Sequence, residues 1–229
     1  NPQPVGGAGP GSGAAGTGWF AGGGGAGAAD AGNSDNRGGY GGGGRPAGVS
    51  YAGGGNGTSG NGDERQTSGT YATGGGGGGG RSAPTANGNG GSGIVVVRYQ
   101  IGEISNVKAT GGAVSFYGGK TIHTFTNTGT FETPGSFDEP VEYVIVAGGG
   151  GGGGSGSNAY GGGGGGAGGY RTGTVDPLGS SLNLTVTVGA GGKGDYQAIN
   201  VPTGSAGSKG VDSSVNFPSG TITSAGGGL

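Results

Sequence analysis

Gly90-Gly91-Ser92-Gly93-Ile94-Val95-Val96-Val97-Arg98-Tyr99-Gln100-Ile101 joins two kinds of chain in one stretch. Before Ile94 there is almost nothing to bury; after it comes a β-branched run that strongly favours an extended, pleated backbone. Ile94 to Ile101 predicts a single strand, apolar on both faces at its start, as in a strand covered on both sides. Further along, short β-type runs alternate with turn residues. They are Ser105 to Thr110, Ala113 to Tyr117, Lys120 to Thr126, Gly129 to Thr133 and Val141 to Ala147. Gly111-Gly112 and Gly118-Gly119 read as hairpin separators, and Asn127-Thr128-Gly129 as a turn. Within the third run, Ile122 faces one way and His123 and Phe125 the other. Tyr170 to Val175 predicts another strand. Leu182, Leu184, Val186 and Val188 alternate with Asn183, Thr185 and Thr187, the pattern of a half-buried strand. Ser213 to Phe217 and Thr221 to Ser224 flank a Pro218-Ser219-Gly220 turn.

Composition explains why so little else is patterned. Glycine supplies 74 of 229 residues, hydrophobic residues 28% and charged residues 10%. Collagen is excluded, because glycine does not recur at every third position and there are only 10 prolines. Simple disorder fits poorly with runs such as Val141 to Val146. No sustained helical period exists, and glycine disfavours a helix interior by about 1 kcal/mol relative to alanine. A net charge of −2 argues against a nucleic-acid partner. The absence of cysteine removes disulfides and thiolate chemistry and leaves the redox compartment open. No apolar run approaches the length of a membrane span, and neither an initiator methionine nor a signal peptide opens the chain. Asn1-Pro2-Gln3-Pro4 and Gly226-Gly227-Gly228-Leu229 both resemble cuts or processing points within a longer repetitive polypeptide.

Residues 1–93 are mostly small and polar, interrupted by Trp19-Phe20, Tyr40, Val49 with Tyr51, and Tyr71. Pure glycine runs occur at 22–25, 41–44, 74–80, 148–154 and 161–166. A glycine run can be ordered only through its backbone. Extended left-handed helices of polyproline II geometry have no internal hydrogen bonds, so side-by-side packing would give every buried N–H and C=O a partner. The expectation is that these runs form packed polyglycine II helices; mobile loops on a β scaffold are the alternative.

Several local motifs dissolve on inspection. G-x-G-x-x-G matches are uninformative at this glycine content. Gly118-Gly119-Lys120-Thr121 ends like a phosphate-binding loop, but Val114 stands where that motif needs glycine. Gly191-Gly192-Lys193-Gly194-Asp195 approaches a calcium-binding repeat, yet occurs once and reads better as a turn. Arg37-Gly38-Gly39-Tyr40 is a single RGG-like copy in an acidic chain. His123, the sole histidine, reads as a strand-surface residue, without the nucleophile pattern a catalyst needs. Asp138, Glu139 and Glu142 read as a solvated turn rather than a carboxylate pair. Asn56-Gly57-Thr58 and Asn183-Leu184-Thr185 are glycosylation sequons, which matter only in a glycosylating source. The residues call for no catalytic set, cofactor or metal.

The order Thr121 to Thr126, Gly129-Thr130-Phe131, Val141 to Ala147, poly-glycine, Gly168-Gly169-Tyr170-Arg171 and Leu184 to Gly189 resembles the opening of a glycine-rich domain found in phage tail fibres, other virion proteins and environmental surface proteins. Gly90 through Tyr99 resembles the motif that closes such modules. The order is permuted: residues 1–100 are similar to the C-terminal half of one module, residues 101–229 to a linker and the N-terminal half of the next. The resemblance implies structural and adhesive roles and supplies no catalytic residues.

These readings converge on an all-β, β-sandwich-like chain with glycine-rich segments and almost no helix. The expected function is that of a non-enzymatic subunit of an extracellular filament or virion tail fibre, located outside the cell or on the virion surface. Its expected partner is itself, head to tail. Two closures are open for Ile94 to Tyr99: pairing within one chain, or completion by a neighbouring subunit. The chain ends favour the neighbour, which makes Ile94, Val95, Val96, Val97, Tyr99, Val144, Ile145 and Val146 the expected assembly residues. A rival reading is a receptor-binding adhesin contacting surface glycan through Trp19, Tyr40 and Tyr71. Another is an ice-binding protein, which a regular threonine ladder would favour, and the sequence shows none. The sequons Asn56 and Asn183 are candidate sites for attached sugar.

Overall fold

The β-branched run after Gly93 forms β1 (Ile94–Gln100), and everything else is arranged around it. The computed structural model of the chain describes residues 19–28, 52–58, 66–80, 87–101, 108–155, 161–196, 204 and 206–229. The other strands among them are β2 (Ala113–Tyr117), β3 (Lys120–Phe125), β4 (Gly129–Glu132), β5 (Val141–Val146), β6 (Tyr170–Val175), β7 (Asn183–Thr187), β8 (Ser213–Phe217) and β9 (Gly220–Ser224). They make two antiparallel sheets, one in the order β2-β3-β1-β5-β6 and one in the order β4-β7-β8-β9. The protein is all-β and sandwich-like, as the runs predict.

β1 lies between β3 and β5, with Val97 opposite His123 on one side and Tyr143 on the other. Both of its edges are therefore paired within the chain. This corrects the expectation that a neighbouring subunit completes it, and Val144, Ile145 and Val146 are paired with β1 and β6 in the same way. The physical reason is continuity of the pleat: residues before 101 supply the central strand of a sheet whose other members follow residue 110.

Alternation sets the core. Val95, Val97 and Tyr99 of β1, Phe125 of β3, and Val141 and Ile145 of β5 face Phe131 of β4, Leu184 and Val186 of β7, and Val215 and Phe217 of β8. Gly173 in β6 makes room for one further ring, because a Cβ there would sit 2.4 Å from the Tyr143 hydroxyl oxygen. Gly118 and Gly119 form the β2–β3 hairpin turn with φ of +58° and +74°, a combination that favours glycine at both positions. Gly111-Gly112 does not close a hairpin. Thr110 bridges to Glu132, at the edge of the four-stranded sheet, whereas Ala113 joins the five-stranded one, so this pair carries the chain between layers. Of the expected Ser105 to Thr110 strand, residues 105–107 lie outside the described residues.

The sandwich runs into glycine at one end. Ile94, Val146 and Tyr170 are aligned across β1, β5 and β6, and Ser213 and Ser224 across β8 and β9. From that end, residues 87–93, 147–155, 161–169, 189–195, 206–212 and 225–229 continue as glycine-rich segments. Side chains hold sandwich layers about 10 Å apart. Where glycine removes them, the layers meet directly: Gly93 N–H donates to Gly189 C=O at 2.9 Å, and Gly169 N–H to Ala225 C=O at 2.8 Å.

Candidate functional site: the glycine bundle and the open sheet face

Residues 148–154 form the axis of the glycine region. The N–H groups of Gly148 and Gly151 donate to Val211 and Ser208, those of Gly149 and Gly152 to Gly91 and Gly88, and those of Gly150 and Gly153 to Gly166 and Gly163. The carbonyls of Gly149 and Gly152 accept from Gly192 and Asp195, those of Gly150 and Gly153 from Gly77 and Gly80, and that of Gly148 from Gly227. Partners repeat every third residue, the period of an extended three-residue helix. None of these glycines takes a positive φ, which fixes the left-handed form. Residues 74–80 are surrounded in the same way, by 19–28, 52–58, 66–70, 87–93, 147–155 and 161–169. The described runs at 22–25, 74–80, 148–154 and 161–166 thus realise the polyglycine II expectation, the run at 41–44 lies outside the described residues, and residues 191–195 belong to this bundle rather than to a turn.

Close packing makes glycine obligatory at the axis. A Cβ on Gly77 would lie 1.9 Å from the Gly88 carbonyl oxygen, and one on Gly151 would lie 2.0 Å from that of Lys193. Gly23 differs, with nothing within 4 Å of the same position. Larger side chains sit on peripheral segments and serve the backbone. Asn89 Oδ1 accepts from Gly194 N–H at 2.8 Å, and Ser213 Oγ from Gly189 N–H at 2.9 Å.

The outer face of the five-stranded sheet is open. Register aligns Ser115, Ile122, Arg98 and Glu142 in one row and Thr124, Val96, Val144 and Thr172 in the next. With Phe20 and Tyr170 they line a groove of about 360 Å³. Arg98 Nε donates to Glu142 Oε2 at 2.6 Å, and Lys120 pairs with the other carboxylate oxygen. Lys120 first and Arg98 second hold the Glu142 carboxyl below its ordinary range. Glu142 is a strand residue, so the expected solvated turn shrinks to Asp138 and Glu139, and Glu139 pairs with Lys108. The groove escaped the sequence reading because its residues are spread over five strands, β1, β2, β3, β5 and β6; only the register joins them.

The outer face of the four-stranded sheet carries a second unanticipated array. Thr130 stands opposite Thr185, and Ser214 opposite both Thr187 and Thr223. No threonine ladder is visible along the sequence, yet pairing assembles this short one across strands.

His123 lies fully buried, which corrects its reading as a surface residue. The Phe131 ring packs against it edge-on at 5.0 Å and the Tyr99 ring stacks on it at 5.6 Å. Its Nδ1 lies 2.7 Å from the Gly111 carbonyl oxygen, which can only accept, so Nδ1 carries the proton and Nε2 faces the Tyr99 hydroxyl at 3.3 Å. Burial pushes the imidazole below its usual value, partly opposed by the Gly111 bond, and pushes the Tyr99 phenol up.

Of the expected glycan contacts, Trp19 and Tyr71 are 51% and 59% exposed. They precede by two residues Ala21 and Thr73, whose N–H and C=O are bonded at 2.8 Å, so they occupy adjacent segments. The Tyr71 hydroxyl donates to Thr126 C=O. Tyr40 lies outside the described residues. Asn183 is exposed on β7, and Asn56 is half-buried in the bundle. Among the described residues, no helix is long and apolar enough to cross a membrane.

Residues 121–229 match the glycine-rich domain family. The matched region holds β3 to β9, while β1 and the described segments 19–28, 52–58, 66–80 and 87–93 bond to its sheet and its bundle. No curated protein and no solved structure matches the chain.

Proposed function

We propose that the chain is a non-enzymatic structural subunit of an extracellular filament or virion tail fibre, joined to its neighbours by main-chain hydrogen bonds. The observation that carries this reading is the bundle itself. Its cohesion comes from backbone groups that repeat every third residue, and a repeating set of donors and acceptors can be extended by another segment of the same kind. Because β1 is already paired on both sides, the joint belongs to the bundle or to edge strands such as β2, where Val114, Phe116 and Tyr117 are exposed. Electron microscopy of the purified chain and of native particles tests the reading. Filaments or virion appendages labelled by an antibody to the chain support it, and a dispersed monomer in both preparations rejects it.

A glycan-binding adhesin is the second reading, favoured by the groove walled by Phe20 and Tyr170 over a floor of hydroxyl and aliphatic groups. Screening the chain against neutral and sialylated oligosaccharides tests it. Binding that is lost in Phe20→Ala and Tyr170→Ala supports this reading, and no binding by the unaltered chain rejects it.

A further inference from the structure

The groove on the outer face of the five-stranded sheet differs in chemistry from one end to the other. Arg98 and Glu142 line one end, where Lys120 of β3 holds the second oxygen of Glu142. Tyr170 lines the other end, in the row of Val146 and Ile94. Four residues of β1 separate the Arg98 row from the Ile94 row, about 13 Å of extended strand. Between them, the hydroxyls of Thr124 and Thr172 flank an aliphatic floor of Val96 and Val144. Two cations against one carboxylate leave one positive charge at the first end, in a chain whose net charge is −2. A guanidinium carries five N–H donors. Glu142 engages Arg98 through Nε and Nη2, and the Arg98 side chain is still 51% exposed.

We infer that this groove takes an oligosaccharide bearing a carboxylate, such as a uronic or sialic acid residue, with the acid at Arg98 and Lys120 and a neighbouring ring against Tyr170 and Phe20. Charge complementarity selects the acid, because a carboxylate adds charge-assisted hydrogen bonds to a cluster with a positive excess. The floor selects a sugar, which presents C–H patches and hydroxyl edges together and so matches aliphatic and hydroxyl groups side by side. An acidic peptide fits less well. A peptide that adds to a sheet needs the unpaired backbone of an edge strand, and β3, β1 and β5 beneath the groove each have a neighbour on both sides. The separation of the two ends exceeds one sugar ring, which makes the ligand a disaccharide or longer. Glu142 is a built-in competitor for the incoming acid. The inference rests on the adhesin reading above and specifies its ligand class.

Isothermal titration of the full chain tests it, comparing a sialylated trisaccharide and a uronate trimer with the same sugars after reduction of the carboxyl group to an alcohol. The acidic forms should bind at least about tenfold more tightly. Raising the salt from about 0.1 M to about 1 M should shrink that advantage. Arg98→Gln should abolish the preference while leaving the affinity for the reduced sugars and the Tm unchanged, because the ion pair it breaks is exposed. Glu142→Gln should tighten binding of the acidic forms at least about threefold and leave the reduced forms unchanged; a purely structural ion cluster would not move affinity in that direction. Acidic and reduced forms that bind equally overturn the acidic assignment and leave the adhesin reading intact. A polyglutamate peptide that binds as tightly as the acidic sugars overturns the choice of a sugar. No binding of any of these sugars overturns both the assignment and the adhesin reading.

Discussion

His123 is the residue whose surroundings matter most for its behaviour. Its value in the folded chain is lowered from 6.5, so the unfolded chain takes up a proton first as pH falls. The His123 contribution to stability is therefore fully present above about pH 6.5 and declines below it, until the folded state also protonates. Chemical denaturation at a series of pH values should show this decline, and His123→Phe should flatten it below about pH 6.5. Glu142 acts in the same direction at lower pH. Its lowered value means that its pairing contribution is present above the unfolded carboxyl range and lost as pH falls through the folded value. That contribution is small, because Glu142 and Arg98 are 37% and 51% exposed. Truncation of the imidazole is a different matter. His123→Ala leaves a cavity among Tyr99, Phe131 and Val97 and should cost about 2–4 kcal/mol, read as a lower midpoint in urea.

At the scale of the element, the glycine segments invert the usual rule that glycine weakens structure. A glycine loses the most backbone freedom on ordering, and here that cost is offset by hydrogen bonds made on several sides of each segment. Gly77→Val and Gly151→Val push a Cβ into a carbonyl oxygen at about 2 Å. Each should destabilise by about 3 kcal/mol or more, lowering Tm by at least about 6–12 °C in a chain of this size. Gly23→Ala provides the contrast. With open space at its Cβ and no positive φ, it should be neutral or stabilising by up to about 1 kcal/mol through the unfolded state. Equal Tm losses in all three variants would show that a generic glycine effect, rather than the bundle geometry, is being measured.

At the scale of the whole molecule, β1 ties together segments far apart in sequence. It pairs with β3 and β5, and the residues just before it bond to 69, 75, 149 and 192 through Asn89, Gly91 and Gly90. Deleting residues 90–99 should therefore abolish the cooperative fold rather than selectively block assembly. Circular dichroism and limited proteolysis check this: a protease-resistant deletion variant with a sharp thermal transition would contradict the pairing. The same long-range closure shapes the surface. Strand register builds a groove on the outer face of the five-stranded sheet and a hydroxyl-bearing face on the four-stranded one.

Sequence alone determined the strands, because β-branched alternation is a local signal: Leu184 and Val186 inward with Thr185 outward needed no partner to be read. It also determined that the glycine runs must be ordered through their backbone if they are ordered at all, since they carry no side chain that could do it. Which segment neighbours which was decided only by the tertiary structure. Glycine 77 looks like glycine 79 in sequence, yet Gly77 N–H donates to Gly150 and Gly79 N–H to Gly25. The burial of His123 was likewise a tertiary outcome, because its period-two position placed it on the face of Phe125 but could not say that Phe131 would cover that face. The open groove, the hydroxyl rows and the pairing of β1 share this reason: each depends on register between strands distant in sequence, and register is fixed by packing two layers against each other, not by any one strand.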